Sequence, residues 1–369
     1  MAAMKSLALV LVLSPIWVAA QTPAAPAWIS PEVHGDQRVT FRIAAPKAES
    51  VVLRGEWMGG SEPLALTKDA EGLWSVTTAP LPADLYSYSF MVDGVKTIDT
   101  RNPLLKTGAR SSDSAVDIPG PAAAHHALRA VPHGTVHVEI YASGATGTLR
   151  RLHVYTPPGY EAGRGRYPVL YLLHGSGDTD REWTSYGRAN LIADNLIADG
   201  KLKPLVIVMT DGHPADPNNP ALRARNTELF AKDLLESVIP FVEKKYRIEG
   251  RRERRALAGL SMGGAQTLAT GLKALDRFSA LGVFSMGLRG ETFEEEHRAV
   301  LEDAAGTNQR LRLFWIACGK DDFLWEPAVR LHETLDKRGI RHVWKPTAGA
   351  HTWVVWRRYL SEFLPLLFQ

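Results

Sequence analysis

A short segment after an apolar stretch carries a residue type that can act as a nucleophile. Gly259-Leu260-Ser261-Met262-Gly263 follows Ala256-Leu257-Ala258 and precedes a helix-forming stretch. The pattern Gly-x-Ser-x-Gly between a strand and a helix predicts a sharp, strained turn that exposes the serine hydroxyl. Because the chain has 31 glycines, a bare pentapeptide of this form can arise by chance. Its position between a strand and a helix favours a nucleophile over a glycine turn with an idle serine.

A serine hydroxyl is weak at neutral pH and needs an imidazole base that a carboxylate orients. Where this serine turn occurs, the chain order is Ser, then Asp or Glu, then His. His297 and His332 lie in helical patterns, and His342 lies in the predicted last strand. His351 follows Ala348-Gly349-Ala350, a loop between that strand and a helix. A loop can bring its side chain over a sheet, so we predict His351 as the base.

Two aspartates compete for the role of the acid. The apolar strand Leu311 to Ala317 runs into Cys318-Gly319-Lys320-Asp321-Asp322. Both carboxylates therefore stand at the carboxyl end of this strand, and spacing alone does not choose between them. Cys318 is expected to be a buried residue at the end of the strand rather than a nucleophile.

Acyl transfer also requires backbone N–H donors for the developing oxyanion. One donor is expected from Met262, the residue after the nucleophile. The loop His174-Gly175-Ser176-Gly177, after Leu172-Leu173, is expected to supply the other through the N–H of Ser176. We expect His174 to orient this loop by hydrogen bonding rather than to transfer protons.

Aromatic residues near these segments are candidates for contacts with a substrate. Trp353 follows the predicted base and Trp183 follows the oxyanion loop, and we predict that they bind substrate together with His174. Trp356 could form part of the same substrate-binding surface, or it could pack its helix against the sheet. The Pro-, Asn- and Asp-rich stretch from Asp211 to Asn226 is a candidate lid or pocket edge.

There is no His-Glu-x-x-His motif, cysteine cluster or glycine-rich phosphate loop, so neither a metal nor a cofactor is expected.

The elements that must position these residues follow an alternating pattern from about residue 136. The runs Val169–Leu173 and Leu205–Met209 are typical of strands buried on both faces. Helical patterns lie between the strands, over 189–199, 226–246, 263–274 and 327–338. Strands that alternate with helices predict a parallel sheet covered on both faces, with the active groups beyond the carboxyl ends of its strands.

The first third of the chain has a different pattern. Between residues 28 and 118, short strands are predicted at 39–43, 50–53, 73–76 and 86–92, and turn residues separate them. Such spacing predicts a small all-β sandwich. The Pro-, Gly- and Ala-rich stretch after it predicts a linker over residues 119–135, so the α/β region covers residues 136–369.

The N-terminal residues and the composition limit the class of protein. Lys5, the apolar run Leu7 to Leu13 and the small residues Val18-Ala19-Ala20 predict a secretory signal peptide over residues 1–20. We therefore expect an exported protein, periplasmic or secreted, without a membrane segment after cleavage; an uncleaved anchor is the alternative. The net charge of +3 gives no sign of a nucleic-acid-binding face.

The ordered set of segments resembles the esterase D-like α/β-hydrolases, and within them carbohydrate esterase family 1. The resemblance lies in Tyr171–Gly175, Arg188–Ile197, Gly259–Gly264, Ala317–Asp322 and His351–Trp353. It implies an α/β-hydrolase fold and a triad of Ser261, Asp322 and His351, with Asp321 still an alternative acid. Residues 30–33, 39–42 and 85–90 resemble a family 48 carbohydrate-binding module, which implies an immunoglobulin-like sandwich over residues 28–118. In that module Trp57 or Trp74 could stack on sugar, although tryptophans of this kind more often belong to a core.

The resemblance implies hydrolysis of esters on plant cell-wall oligo- or polysaccharides, feruloyl esters first and acetylxylan next. An enterochelin-type siderophore esterase is the alternative within enzymes, because such enzymes also carry an N-terminal sandwich. A carbohydrate-binding protein with a vestigial hydrolase region is the alternative from another class. A complete set of serine, acid and base argues against this last hypothesis.

Overall fold

A computed structural model describes residues 28–214, 225–290 and 292–369 of the chain. The predicted signal peptide and most of the predicted lid, residues 215–224, lie outside the described residues. Within the described residues, no helix is long and apolar enough to cross a membrane.

Residues 28–118, here called the front unit, form two antiparallel sheets. One sheet has the strand order β1-β2-β6-β5, and the other has the order β4-β3-β7-β10-β9 with β8 paired to β7. The strands are β1 (Glu32–Val33), β2 (Val39–Ala44), β3 (Val51–Gly55), β4 (Leu64–Ala65), β5 (Thr67–Lys68), β6 (Leu73–Thr77), β7 (Leu85–Val92), β8 (Val95–Thr97), β9 (Leu105–Thr107) and β10 (Ser112–Asp117). The four predicted strands correspond to β2, β3, β6 and β7.

The core of the front unit contains the tryptophans that were candidates for sugar stacking. Trp74 is 8% exposed, and its indole N–H donates to the carbonyl of Ala45. Trp57 is half-buried, with its ring stacked 5.6 Å from that of Phe41. Neither ring is an open platform, so both residues serve packing, the commoner role of a tryptophan.

Residues 119–135 pack against both neighbouring regions instead of forming a free linker. A short 3₁₀ turn covers Pro121–Ala123. The imidazole of His126 is fully buried, with Nε2 2.9 Å from Asp84 Oδ1. His133 Nδ1 lies 2.8 Å from Asp194 in the following region. The segment therefore contacts the front unit through the buried His126 and the following region through the more exposed His133.

The C-terminal unit, which begins with the first strand residue Thr135 and continues to residue 369, is built on an eight-stranded sheet with the order β11-β12-β14-β13-β15-β16-β17-β18. β11 and β12 pair antiparallel to each other, as do β12 and β14, and the remaining pairs are parallel. The strands are β11 (Thr135–Ser143), β12 (Thr148–Thr156), β13 (Val169–Leu173), β14 (Val206–Thr210), β15 (Arg255–Leu260), β16 (Ala280–Phe284), β17 (Leu313–Gly319) and β18 (Val343–Thr347). This is the predicted α/β-hydrolase sheet.

Helices cover both faces of this sheet. They are α1 (Glu182–Ser185), α2 (Ala189–Ala198), α3 (Asn226–Asp233), α4 (Ile239–Lys245), α5 (Met262–Gly271), α6 (Phe293–Glu296), α7 (Arg298–Glu302), α8 (Ala304–Arg310), α9 (Trp325–Lys337) and α10 (Trp353–Phe363). Two apolar clusters, one on each face, bury strand residues such as Leu257 and Ala258 completely. β13, β15 and β16 are buried throughout, which explains their continuous apolar sequences.

The predicted helix 226–246 is divided in the structure. A π-helical turn, Leu234–Val238, separates α3 from α4. Pro240, in the first turn of α4, lacks a backbone N–H and cannot continue the regular hydrogen-bond ladder. The sequence therefore predicted the helical stretch correctly but not this interruption.

Candidate active site

Ser261 occupies a strained turn between β15 and α5. Its backbone has φ 51° and ψ −116°, a conformation that residues other than glycine rarely adopt. A Cβ atom on Gly259 would lie 2.5 Å from the Gly263 backbone, and one on Gly263 would lie 2.7 Å from the carbonyl oxygens of Leu173 and His174. Both glycines are thus required by close backbone approach, as the motif predicts.

Ser261, His351 and Asp322 are joined by hydrogen bonds. Nε2 of His351 lies 3.0 Å from Oγ of Ser261. Nδ1 of His351 lies 3.0 Å and 2.9 Å from the two carboxylate oxygens of Asp322. The ends of three different strand regions therefore meet in one chain of contacts, with the geometry that an activated serine requires.

The structure distinguishes the two aspartates. Asp322 is 4% exposed and contacts His351, whereas Asp321 accepts the N–H of Gly349 at 3.1 Å. Burial raises the pKa of Asp322, but hydrogen bonds from His351 and from the backbone N–H of Leu324 outweigh it, and the net pKa is below its usual value. An ionised carboxylate beside Nδ1 holds the imidazole with Nε2 free to accept the serine proton.

The two predicted oxyanion donors lie beside the serine. Met262 is the first residue of α5, where helical N–H groups have no partner within the helix. A Cβ atom on Gly175 would lie 3.7 Å from Cβ of Ser261, so the loop that contains Ser176 runs directly past the nucleophile. This placement favours the roles predicted for Met262 and Ser176.

A cavity of about 350 Å³ opens above Ser261. Its lining from the C-terminal unit includes Ser176, Ser261, His351, Trp353 and Trp356. Three further lining residues, Glu56, Ser87 and Lys106, come from the front unit. The cavity is therefore shared between the two regions, and sequence reasoning missed these three residues because no local motif marks them.

The aromatic candidates have different positions. Trp353 and Trp356 line the cavity, and the Trp356 ring stands edge-on 4.9 Å from the imidazole of His351. Trp183 is 1% exposed and packs against Trp353 from behind, while its indole N–H donates to the carbonyl of Leu173. The prediction that Trp183 binds substrate is therefore wrong, because the side chain supports the wall without reaching its surface.

His174 is also buried and does not line the cavity. Its Nδ1 lies 2.7 Å from the carbonyl of Gly175, and its Nε2 accepts the N–H of Gly212 at 2.8 Å. These bonds agree with the expectation that His174 orients the loop, and they correct its placement among the substrate-binding residues. His174 connects the oxyanion loop to the segment after β14.

An exposed aromatic ring lies beside the predicted base. Phe323, which sequence reasoning did not single out, is 73% exposed, and its ring lies 4.5 Å from the imidazole of His351.

The single cysteine lies at the end of β17. Cys318 is fully buried, and burial raises the pKa of its thiol to about 12. Because the thiolate is the reactive form, Cys318 is unsuited to nucleophilic chemistry.

A group able to hold a metal ion lies outside this cavity, among the residues that the structure describes. His332, Asp336 and His342 offer ligand atoms within 4.8 Å of one another, on α9 and just before β18. His332 Nδ1 lies 2.8 Å from His342 Nε2, so these two ring nitrogens already form a hydrogen bond with each other. None of the three lines the cavity above Ser261.

Comparison with known proteins agrees with this geometry. The Esterase family model matches residues 143–367. An endo-1,4-β-xylanase/feruloyl esterase of Xylanibacter ruminicola is 32% identical over 92% of this chain, which spans 46% of that relative. The chain thus spans less than half the length of this relative.

Solved structures are similar in fold. A family CE1 ferulic acid esterase of Anaeromyces mucronatus, in complex with ferulic acid, has a TM-score of 0.58 at 26% identity, over 66% of this chain and 93% of the other. The enterochelin esterase of Shigella flexneri has a TM-score of 0.66 at 19% identity, over 92% and 95% of the two chains. The second likeness extends through the front unit but concerns the fold alone.

Proposed function

Because the chain belongs to the Esterase family and is a carboxylic ester hydrolase, we propose that it cleaves feruloyl esters of plant cell-wall carbohydrate through Ser261. The observation that carries the proposal is the hydrogen-bonded series Ser261–His351–Asp322, of which Ser261 and His351 line a cavity. The 32% identity with a xylanase/feruloyl esterase, over nearly the whole chain, supports the choice of substrate.

In the proposed reaction Ser261 attacks the ester carbonyl while His351 accepts its proton. Asp322 holds the imidazole and stabilises its positive form, and the N–H groups of Met262 and Ser176 bind the oxyanion. His351 then protonates the departing alcohol oxygen. Water attacks the acyl-enzyme by the same route and releases the carboxylic acid, which restores the serine hydroxyl.

The surroundings of His351 support a sugar as the departing alcohol. His351 delivers its proton to the leaving oxygen, so the alcohol must leave beside this imidazole. Phe323 presents a largely exposed ring at that place. A sugar ring that covers Phe323 would remove apolar surface from water, which favours binding. The acyl group is then directed toward the cavity walls formed by Trp353 and Trp356.

The first experiment compares the purified chain with Ser261→Ala on four substrates: methyl ferulate, 4-nitrophenyl acetate, acetylated xylan and a catecholate trilactone. The proposal expects the highest kcat/KM on the feruloyl ester and a loss of about 10⁴-fold or more in Ser261→Ala. A preference for the trilactone would select the enterochelin-type function instead. Near-normal turnover by Ser261→Ala would refute Ser261 as the nucleophile. Absence of turnover by the wild-type chain would favour the alternative of a carbohydrate-binding protein without activity.

Export is part of the same proposal, because a cell-wall polymer lies outside the cell. Lys5, the apolar run after it and the small residues before Gln21 support cleavage near residue 20. Expression in a bacterial host, followed by mass spectrometry of the mature chain, should give an N-terminus close to Gln21. A full-length N-terminus in the membrane fraction would indicate an uncleaved anchor.

A further inference from the structure

Glu56 of the front unit extends its carboxylate to the helix that follows His351. Oε1 of Glu56 accepts the backbone N–H of Trp353 at 2.9 Å. Oε2 accepts the hydroxyl of Tyr186 at 2.6 Å and the backbone N–H of Ser87 at 3.0 Å. The side chain thus joins the front unit, the residue that follows α1, and the first residue of α10 at the wall of the cavity.

Helix α10 has no side-chain cap of its own. Thr352 stands at the N-cap position, but its side chain makes no capping hydrogen bond. The first N–H groups of a helix lack partners within it, and a carboxylate at that end also interacts favourably with the helix dipole. Glu56, 297 residues earlier in the chain, supplies this contact. The first residue of α10, two residues after His351, is therefore held by the front unit.

A second contact fixes the same helix one turn later. Arg357 is fully buried, and it donates to Asp84 Oδ1 at 2.8 Å and to the carbonyl of Leu85 at 2.5 Å. Residues four apart lie on one face of a helix, so Trp353 and Arg357 present the same side of α10 to the front unit. On the other side of His351, Asp321 holds the N–H of Gly349. The loop of His351 is thus anchored at both ends by carboxylates.

We propose that Glu56 is a positioning residue for His351, and that the front unit is part of the esterase site rather than only an attachment module for polysaccharide. The proposal rests on the assignment of His351 as the base. The loop between the two anchors is short, so a shift of Trp353 moves the imidazole relative to Ser261. A misplacement of about 1 Å in a catalytic group can lower a rate by about 100-fold.

The test measures kcat and KM separately in the full chain, with 4-nitrophenyl acetate and methyl ferulate, for Glu56→Ala and Glu56→Gln. We expect Glu56→Ala to lower kcat by about 10- to 100-fold on both esters, with KM within about twofold of wild type. Glu56→Gln keeps one oxygen that can accept the Trp353 N–H, so it should recover part of kcat. Glu62→Gln is the matched control, because Glu62 is exposed in the same unit and does not line the cavity, and its kcat should not change.

Circular dichroism and the melting temperature establish that each variant is folded. If Glu56→Ala does not fold, Glu56→Gln and Tyr186→Phe decide the question, because Tyr186→Phe removes one donor from the Glu56 carboxylate. A kcat within twofold of wild type in the folded variants would overturn the proposal. So would a rise in KM alone, which would make Glu56 a substrate contact. If the wild-type chain hydrolyses neither ester, the proposed function fails and this proposal fails with it; active wild type with unaffected variants refutes the role of Glu56 alone.

Discussion

The Nδ1 atom of His351 lies within 3.0 Å of both carboxylate oxygens of Asp322. The neighbouring Asp321, only one position away, instead accepts the backbone N–H of Gly349. The turn after β17 thus places two adjacent carboxylates, those of Asp321 and Asp322, in contact with different partners. One faces the imidazole ring and the other holds the backbone of the loop that carries it.

This difference predicts unequal effects for two matched substitutions. Asp322→Asn should lower kcat by about 10⁴-fold, because an amide next to Nδ1 favours the wrong imidazole tautomer and no longer stabilises the imidazolium. Asp321→Asn retains an oxygen for the Gly349 N–H and should lower kcat by less than about tenfold. Steady-state kinetics on 4-nitrophenyl acetate measure both. Equal losses, or a larger loss in Asp321→Asn, would contradict the assignment of Asp322.

Phe323 gives a prediction that separates the two halves of the ester. Phe323→Ala should raise KM for a feruloylated arabinoxylan oligosaccharide by about three- to tenfold, because a sugar would lose its apolar contact beside His351. Methyl ferulate has no sugar, so its KM should change by less than twofold. Comparison of the two substrates in one variant controls for general damage to the site. Equal changes on both would place Phe323 outside the proposed sugar contact.

The thiol of Cys318 should be inert in the native chain. It is fully buried, and its pKa of about 12 leaves almost no thiolate at neutral pH. Treatment with an aromatic disulfide reagent at pH 8 should therefore release no thiolate colour and leave esterase activity unchanged. The same reagent in guanidinium chloride should titrate one thiol per chain, since the sequence has a single cysteine. Rapid modification of the native protein would show that this strand end opens.

Regular elements and short motifs were predicted well from the sequence. The strand Val169–Leu173 was predicted with its observed bounds, and the helix 189–199 was predicted to within one residue, because continuous burial and helical spacing leave clear apolar patterns. The strained turn at Ser261 was equally visible, since close backbone approach requires glycine on both sides. These features depend on residues that are near one another in the chain.

The remaining features depend on contacts between distant residues. Trp183 and Trp353 are both close in sequence to reactive segments, yet Trp353 lines the cavity and Trp183 packs behind it. Glu56 reaches Trp353 across 297 positions, and no local spacing indicates such a contact. The antiparallel hairpin of β11 and β12 was not separately predicted either. These positions depend on the direction of side chains and on packing between the two units, and a local sequence pattern indicates neither.

The buried pair of Asp84 and Arg357 gives a prediction on stability. Both side chains are fully buried, and Nη2 of Arg357 lies 2.8 Å from Oδ1 of Asp84. His126 also donates a hydrogen bond to Asp84. Burial raises the pKa of Asp84, but hydrogen bonding by His126 and the charge of Arg357 outweigh it, so the net pKa is well below its usual value. Removal of one member of such a pair typically costs about 3 to 5 kcal/mol, because it leaves a buried charge without its partner. We therefore expect Asp84→Asn to melt well below wild type at pH 7.

The pH dependence of this difference follows from the direction of the shift. A carboxyl group with a lowered pKa in the folded chain contributes its stability above its unfolded pKa of about 3.9, and that contribution is lost as the pH falls through the lower folded value. The gap in melting temperature between wild type and Asp84→Asn should be constant from pH 5 to 7 and narrow below about pH 4. Asp36→Asn is a suitable control, because that exposed aspartate forms a surface pair with Arg38, and its loss should change the melting temperature little. A gap that stays constant down to pH 3 would mean that Asp84 does not stabilise the junction through its charge.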